Sequence, residues 1–149
     1  MLAAKFGMEY VDKDGTKKNP YIIHRSSIGC YERTMALLIE KYAGAFPLWL
    51  SPDQIKILPI SENEVDYAYD IKNKLMKAGY RVEVDSSSEK IGYKIREAQL
   101  EKVPYMIVLG KNEVEQNTVS VRARDGRKMD SILLDEFIKA LDEEMGDLK

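Results

Sequence analysis

IKILPISENEVDYAYDIKNKLMKAGYRVEV, residues 55–84, reads as a strand, a helix and a second strand in succession. Ile55–Ile60 is a short apolar run of strand length. Glu62–Ala78 carries Val65, Ala68, Tyr69, Ile71, Leu75 and Met76 at helical spacing, Gly79 supplies a stop, and Tyr80–Val84 is a strand again. A chain that leaves a strand, forms a helix and re-enters the same sheet runs parallel to its start through a right-handed crossover. That unit commits the chain to an α/β fold.

The same alternation continues toward the C-terminus. Ser86–Glu101 forms the next predicted helix, with Ser86 and Glu89 spaced as a capping box. Val103–Leu109 is a fully apolar strand of the buried kind, Thr118–Arg124 alternates as a half-exposed strand does, and Ser131–Met145 is a final helix. Strand-helix-strand-helix-strand-strand-helix predicts three α/β/α layers around a mixed, mostly parallel sheet. On the N-terminal side Ser51-Pro52-Asp53 marks a boundary, since the proline restricts its predecessor and excludes a helix there. Two parts are therefore expected, 1–50 and 51–149. In the first, Tyr10–Val11 and Pro20–Ile23 read as strands around the loop Asp12–Gly15. Ser26 and Ser27 precede a helix from Ile28 to about Tyr42, expected to bury the face carrying Ile28, Tyr31, Met35, Leu38, Ile39 and Tyr42. Phe46–Leu50 is a short strand or connector.

Composition narrows the function classes. With 44% hydrophobic and 32% charged residues, the 149-residue chain is too apolar for disorder. No run approaches the roughly 20 apolar residues of a membrane helix. Residues 1–7 lack the features of a secretory signal, and one cysteine, Cys30, suits a reducing compartment, so a cytoplasmic location away from membranes is expected. The formal charge of -2 conceals an asymmetry: Arg81–Lys128 holds ten Lys/Arg against eight Asp/Glu, whereas Met129–Lys149 holds two against seven. No phosphate loop, nucleophile elbow or paired-carboxylate signature is present.

In open α/β sheets ligands meet the loops beyond the carboxyl ends of the strands. Those loops are Asp85–Ser88, Gly110–Glu113 and the segment after Pro59. Lys90 and Lys94 stand four residues apart, with Arg96 close by and Tyr93 able to stack, a combination suited to single-stranded RNA. A solvated helix face explains the same residues, with Ile91, Ile95 and Ala98 turned inward and Lys90 and Lys94 turned to water. Arg122 and Arg124 share one face of their strand, where they either grip phosphate or a guanine edge or guard a sheet edge. Glu113 either accepts from a base amino group or is an exposed loop carboxylate. Arg33 has Gly29, Cys30 and Ala36 beside it, leaving room for a flat ring on its guanidinium or for helix packing. His24 and Cys30 have too few partners of their kind here for a complete His/Cys zinc site.

Taken together, several separated motifs resemble the threonyl branch of the class II aminoacyl-tRNA synthetases. Pro20–Arg25 with Ile28–Arg33 is similar to motif 3, and Tyr42–Pro52 is similar to that branch's exit from its catalytic domain. Glu89–Glu97 and Lys102–Met106 are similar to its anticodon-binding domain. The resemblance covers about residues 5–145, in the family's order and spacing. It implies the C-terminal edge of a catalytic domain in 1–50 and an anticodon-binding domain in 51–149. By the same resemblance Arg33 stacks on the adenine of ATP, and His24 is one of three ligands of a catalytic zinc whose other ligands lie upstream. ATP, Mg and Zn are implied for the full-length enzyme, none complete in this fragment. Ser88, Lys90, Tyr93, Lys94, Arg96, Glu113 and Arg122 fall at anticodon-binding positions. The implied partners are the anticodon stem-loop of threonine tRNA and the rest of the synthetase chain, as a homodimer in the full-length form. The family's usual Arg-Asn is Ser87-Ser88 here, which removes a cation and a longer amide. With motifs 1 and 2 absent, the fragment is expected to bind tRNA without aminoacylating it. The rival expectation is a non-enzymatic α/β interaction module on the same fold.

Overall fold

The computed structural model describes residues 2–146 and divides into two compact units at Ala36/Leu37. The first holds α1 (Leu2–Lys5) and a two-stranded antiparallel ribbon of β1 (Tyr10–Val11) and β2 (Lys17–Lys18). The ribbon pairs Tyr10 with Lys18 and Val11 with Lys17, not with the expected Pro20–Ile23. A tight turn explains the shift: Asp12 N–H donates to Thr16 O at 2.8 Å and Gly15 N–H to Asp12 O at 2.9 Å, which brings residue 17 opposite residue 11. Pro20, lacking an N–H, has no ladder bond to give.

Helix α2 (Tyr31–Tyr42) runs through the division. It starts three residues later than the expected Ile28, because Gly29 holds a left-handed φ of +81° that an α-helix cannot continue through. Ser26 Oγ accepts from Gly29 N–H at 3.0 Å, so the serine closes a turn ahead of the helix. The expectation of a buried face also fails. No α2 residue is buried, and Tyr31, Met35, Leu37 and Ile39 are all exposed.

The second unit is built on a five-stranded sheet of order β4-β3-β5-β6-β7. Its strands are β3 (Ile55–Pro59), β4 (Val82–Val84), β5 (Tyr105–Leu109), β6 (Val119–Ala123) and β7 (Lys128–Ile132). β3 pairs parallel with β4 and β5, and β6 pairs antiparallel with β5 and β7, so β6 alone opposes the other four. The helices are α3 (Val65–Lys77), α4 (Ile91–Leu100), α5 (Lys111–Gln116) and α6 (Leu134–Met145). Residues 48–50 of the expected strand or connector form a 3-10 turn.

Side-chain alternation sorts the sheet into two faces. Ile55, Ile57, Ile107, Val119 and Val121 point to the face covered by α3 and α6, where Ala68, Ile71, Leu75, Phe137 and Leu141 complete the larger core. Phe137 meets Tyr105 edge to face at 5.5 Å. On the opposite face α4 lays Ala98, Ile91 and Ile95 over Leu58 and Met106 only. The outward residues of β6 on that face, Ser120 and Arg122, stay half-buried and exposed respectively. This uncovered half of the sheet is what the fold leaves for function.

Three further boundaries depart from expectation. α4 begins at Ile91 rather than Ser86, since Ser87 N–H closes a turn on Asp85 Oδ1 at 3.0 Å and no Ser86–Glu89 capping box forms. The loop after β5 winds into α5. Residues 128–132, the last two of which were expected to open the final helix, form β7, whose ladder shifts register against Val119 and Val121 and carries Ser131 at φ +51°. Among the described residues no helix is long and apolar enough to cross a membrane.

Candidate functional site

A cleft of about 260 Å3 opens beyond the carboxyl ends of β3 and β4, walled by Ile60, Ser61 and Val65 on one side and Ser86–Ser88 on the other. Ser61 shapes the first wall: its N–H and Oγ both donate to Glu64 Oε2, at 2.7 and 2.6 Å, which starts the turn into α3. The second wall leans on Asp85. Burial pushes that carboxyl up, but hydrogen bonding from Ser87 and the charges of Lys94 and Lys56 outweigh it and hold the group below its ordinary range.

Lys94 closes the floor. It is only 3% exposed, and its ammonium donates to Pro59 O at 3.1 Å and Asp85 O at 3.0 Å. Lys94 is thus not turned to water alongside Lys90, because position 94 stands three residues after Ile91 and four before Ala98, on the inward face of α4. Lys90 and Arg96 are exposed, as is Ser88, and Tyr93 shows 53% of its surface. Among the described residues the side chains of Lys90, Arg96 and Arg122 have no hydrogen bond or ion pair, so all three cations are free for an anion.

Glu113 is held from two directions. Its Oε2 accepts from Gly110 N–H at 2.9 Å and its Oε1 from Ser120 Oγ at 2.7 Å, tying the start of α5 to β6. Burial raises its pKa, yet the bonds from Ser120 and from the amides of residues 113 and 110 win and keep it lowered. The group therefore stays an ionised acceptor, fixed beside the open half of the sheet. Gly110 permits this approach: a Cβ there would stand 2.9 Å from Ile60 Cδ1 and 3.1 Å from Glu113 Oε2. Ser120 was overlooked in the sequence, although its alternation with Arg122 puts both on one face.

Arg124 does not join that face. Its guanidinium donates to Lys102 O at 2.7 Å and Phe46 O at 2.9 Å, fastening the segment before the sheet. Arg33 and His24 lie in the first unit, both exposed, with no hydrogen bond or ion pair to either side chain among the described residues. The guanidinium is open to a flat ring. The metal donors are insufficient: among the described residues no three His, Cys, Asp or Glu gather as a metal site, so His24 does not make a zinc centre by itself. Cys30 Sγ donates to Glu32 Oε2 at 2.8 Å and lowers the pKa of that glutamate.

Residues 54–144 match the family described as Anticodon binding domain. The chain is 59% identical over 140 residues to a threonine–tRNA ligase of Clostridium botulinum (strain Eklund 17B / Type B), covering 94% of this chain and 22% of that protein. It is 54% identical over 144 residues to the threonine–tRNA ligase of Clostridioides difficile (strain 630), covering 97% of the chain and 22% of the relative. The chain thus spans little more than a fifth of the length of these curated relatives. Among solved structures, the RNA binding domain of threonyl-tRNA synthetase from Cryptosporidium parvum Iowa II superposes with a TM-score of 0.73 at 37% identity, covering 96% of this chain and 36% of that one. Prolyl-tRNA synthetase from Cryptosporidium parvum shares the fold at a TM-score of 0.66 and 21% identity, over 99% of this chain and 31% of that one.

Proposed function

The chain belongs to the anticodon binding domain family, and from that membership we propose that it reads the anticodon loop of a threonine tRNA as the C-terminal portion of a threonine–tRNA ligase. The observation that carries the reading is the open half of the sheet face. Arg122 and the fixed acceptor Glu113 border it, Lys90, Arg96 and Tyr93 are exposed on or just before α4 on the same side of the sheet, and none of the three cations has a side-chain partner among the described residues. Cations position the phosphates and the aromatic ring takes a base face. Arg122 offers a guanidinium fork to a base edge, and Glu113 uses its remaining lone pairs for a base amino group. Ser88 contributes a hydroxyl from the cleft wall.

The ligation of threonine, with its ATP, Mg and Zn, falls to the rest of such an enzyme. Residues 1–50 are its catalytic edge in this reading, where Arg33 faces the adenine and His24 adds one donor to ligands supplied from elsewhere. Residues 51–149 are the tRNA-reading part. The exposure of Tyr21, Ile23, Tyr31, Met35, Leu37 and Ile39 supports the assignment of the first part to a larger apolar core.

Binding of the chain to threonine tRNA transcripts altered singly at the second or third anticodon base tests the proposal. Weaker binding of the altered transcripts is expected, with affinity that falls steeply as salt rises. Equal affinity for all transcripts would remove the claim of anticodon reading, and salt-independent capture of protein partners would favour an interaction module.

A further inference from the structure

We propose that Lys94 is a positioning residue that fixes the geometry of the recognition loop, residues 86–90, rather than a residue that touches RNA; this rests on the anticodon reading above. Lys94 sits on the first turn of α4 and is 3% exposed. Its ammonium donates to the carbonyl at the end of β3, Pro59 O, and to the carbonyl at the end of β4, Asp85 O. The loop carrying Ser88 and Lys90 begins at Asp85 and ends where α4 begins. One cation therefore holds both ends of that loop and ties them to the neighbouring strand.

An ammonium is costly to bury, and a methionine of similar length would fill the position without that cost. The charge must therefore serve the carbonyls it binds. Lys56, the other buried lysine of this sheet face, is a built-in comparison. It is 6% exposed, and it is neutralised by carboxylates, Glu101 at 2.5 Å and Glu83 at 3.5 Å. Lys94 has no carboxylate at ion-pair distance among the described residues; both its acceptors are backbone oxygens at the cleft. Lys56 braces the sheet, whereas Lys94 braces the loop.

The experiment uses the full chain as wild type and as Lys94→Met, Lys94→Gln and Lys56→Met. The probes are anticodon stem-loops of threonine tRNA, unaltered and changed at the second or third base. Amide hydrogen exchange of residues 86–90 and thermal unfolding are recorded beside binding. Lys94→Met is expected to lower discrimination between unaltered and altered stem-loops about tenfold, the worth of one base contact. It should leave the salt dependence unchanged and speed exchange across residues 86–90. Lys94→Gln, which keeps two donors on a shorter stem, should restore part of the discrimination. Lys56→Met should lower thermal stability and leave discrimination intact.

Two results would overturn the inference. One is retained discrimination and unchanged exchange in Lys94→Met. The other is an equal loss of affinity for every stem-loop with a shallower salt slope, which is the mark of a phosphate contact. If Lys94→Met does not fold, Lys94→Gln carries the same comparison. If the wild-type chain fails to discriminate, the anticodon reading falls by itself, and the exchange rates of residues 86–90 still decide whether Lys94 fixes the loop.

Discussion

Arg81 grips the carbonyl of Ser51 with two donors, Nε at 2.9 Å and Nη2 at 2.7 Å. The same guanidinium reaches Trp49 O at 2.9 Å, so a residue leading into β4 fastens the chain that enters β3. Its own backbone is fixed in turn, since Arg81 N–H donates to the side chain of buried Gln54 at 2.8 Å.

Removing that clasp frees three carbonyl contacts without emptying the core. Arg81→Ala should cost about 1–2 kcal/mol, toward the low end for bonds to a charged donor because the site is partly exposed to water. Chemical denaturation measures the loss, and amide exchange at residues 49–52 should rise with it. Unchanged exchange there would show that the segment is held by other means.

Phe137 is fully buried against Tyr105 and the strands of the larger core. Phe137→Ala should destabilise the second unit by about 3–5 kcal/mol, combining lost apolar transfer with a cavity. A loss below 1 kcal/mol would mean that α6 can re-seat on the sheet.

The lowered pKa of Glu113 sets a pH signature. Its ionised form is favoured in the fold, so its contribution to stability is complete above the unfolded pKa and fades as pH falls through the lower folded value. The stability difference between wild type and Glu113→Gln should therefore be largest near neutrality and shrink below the ordinary glutamate range. A difference that stays constant through that range would show that Ser120 and Gly110 bind the neutral side chain equally well.

Alkaline titration offers a separate check on the far face of the sheet. Tyr80 bonds Asp142 and Tyr105 bonds Glu144; burial and these carboxylates push Tyr105 up to about 12 and Tyr80 higher still. Both phenols should stay protonated after the exposed tyrosines ionise. Their contribution to stability is complete below the unfolded tyrosine pKa and is lost as pH rises through the folded values. Phenolate absorbance of Tyr80→Phe and Tyr105→Phe reads this directly: each should remove a late-titrating group, and loss of an early one would contradict the assignment.

On the proposed RNA-binding face, Arg122→Ala should weaken binding to the unaltered anticodon by about 1–3 kcal/mol and relax preference at one base. Lys90→Ala should weaken all anticodons alike and lower the salt slope by about one. Arg96→Ala tests the same face from α4, with an expected loss of about 1–3 kcal/mol.

β3 and β5 were readable in the sequence because each is a largely apolar run closed by a turn residue, and β4 because Gly79 ends the helix before its two valines. The apolar periodicity also located α3, α4 and α6, although not their first residues. Helix starts depend on which local bond wins, and residues 86–90 show why: Asp85 captures the amide of Ser87, and the helix waits until Ile91. β7 was hidden because its burial follows no period of two and Ser131 breaks the pattern. The apolar spacing of α2 was real, but spacing alone says nothing about what covers a face. At the site, the free cations could be found by residue type. The burial of Lys94 could not, because it depends on two backbone carbonyls, of Pro59 and Asp85, that only the folded strand ends bring within reach of its ammonium.

Helix α6 carries five carboxylates against one lysine and lies on one side of the sheet, while Lys90, Arg96, Arg122 and Lys128 stand on or beside the other. The sheet thereby separates charge through its thickness, although the net charge of the whole is slight. A polyanion drawing near exerts a torque on such a molecule and turns its cationic side forward before any contact is made. Orientation during approach is thus decided by where the last helix was packed, and added salt slows the encounter by quenching that torque.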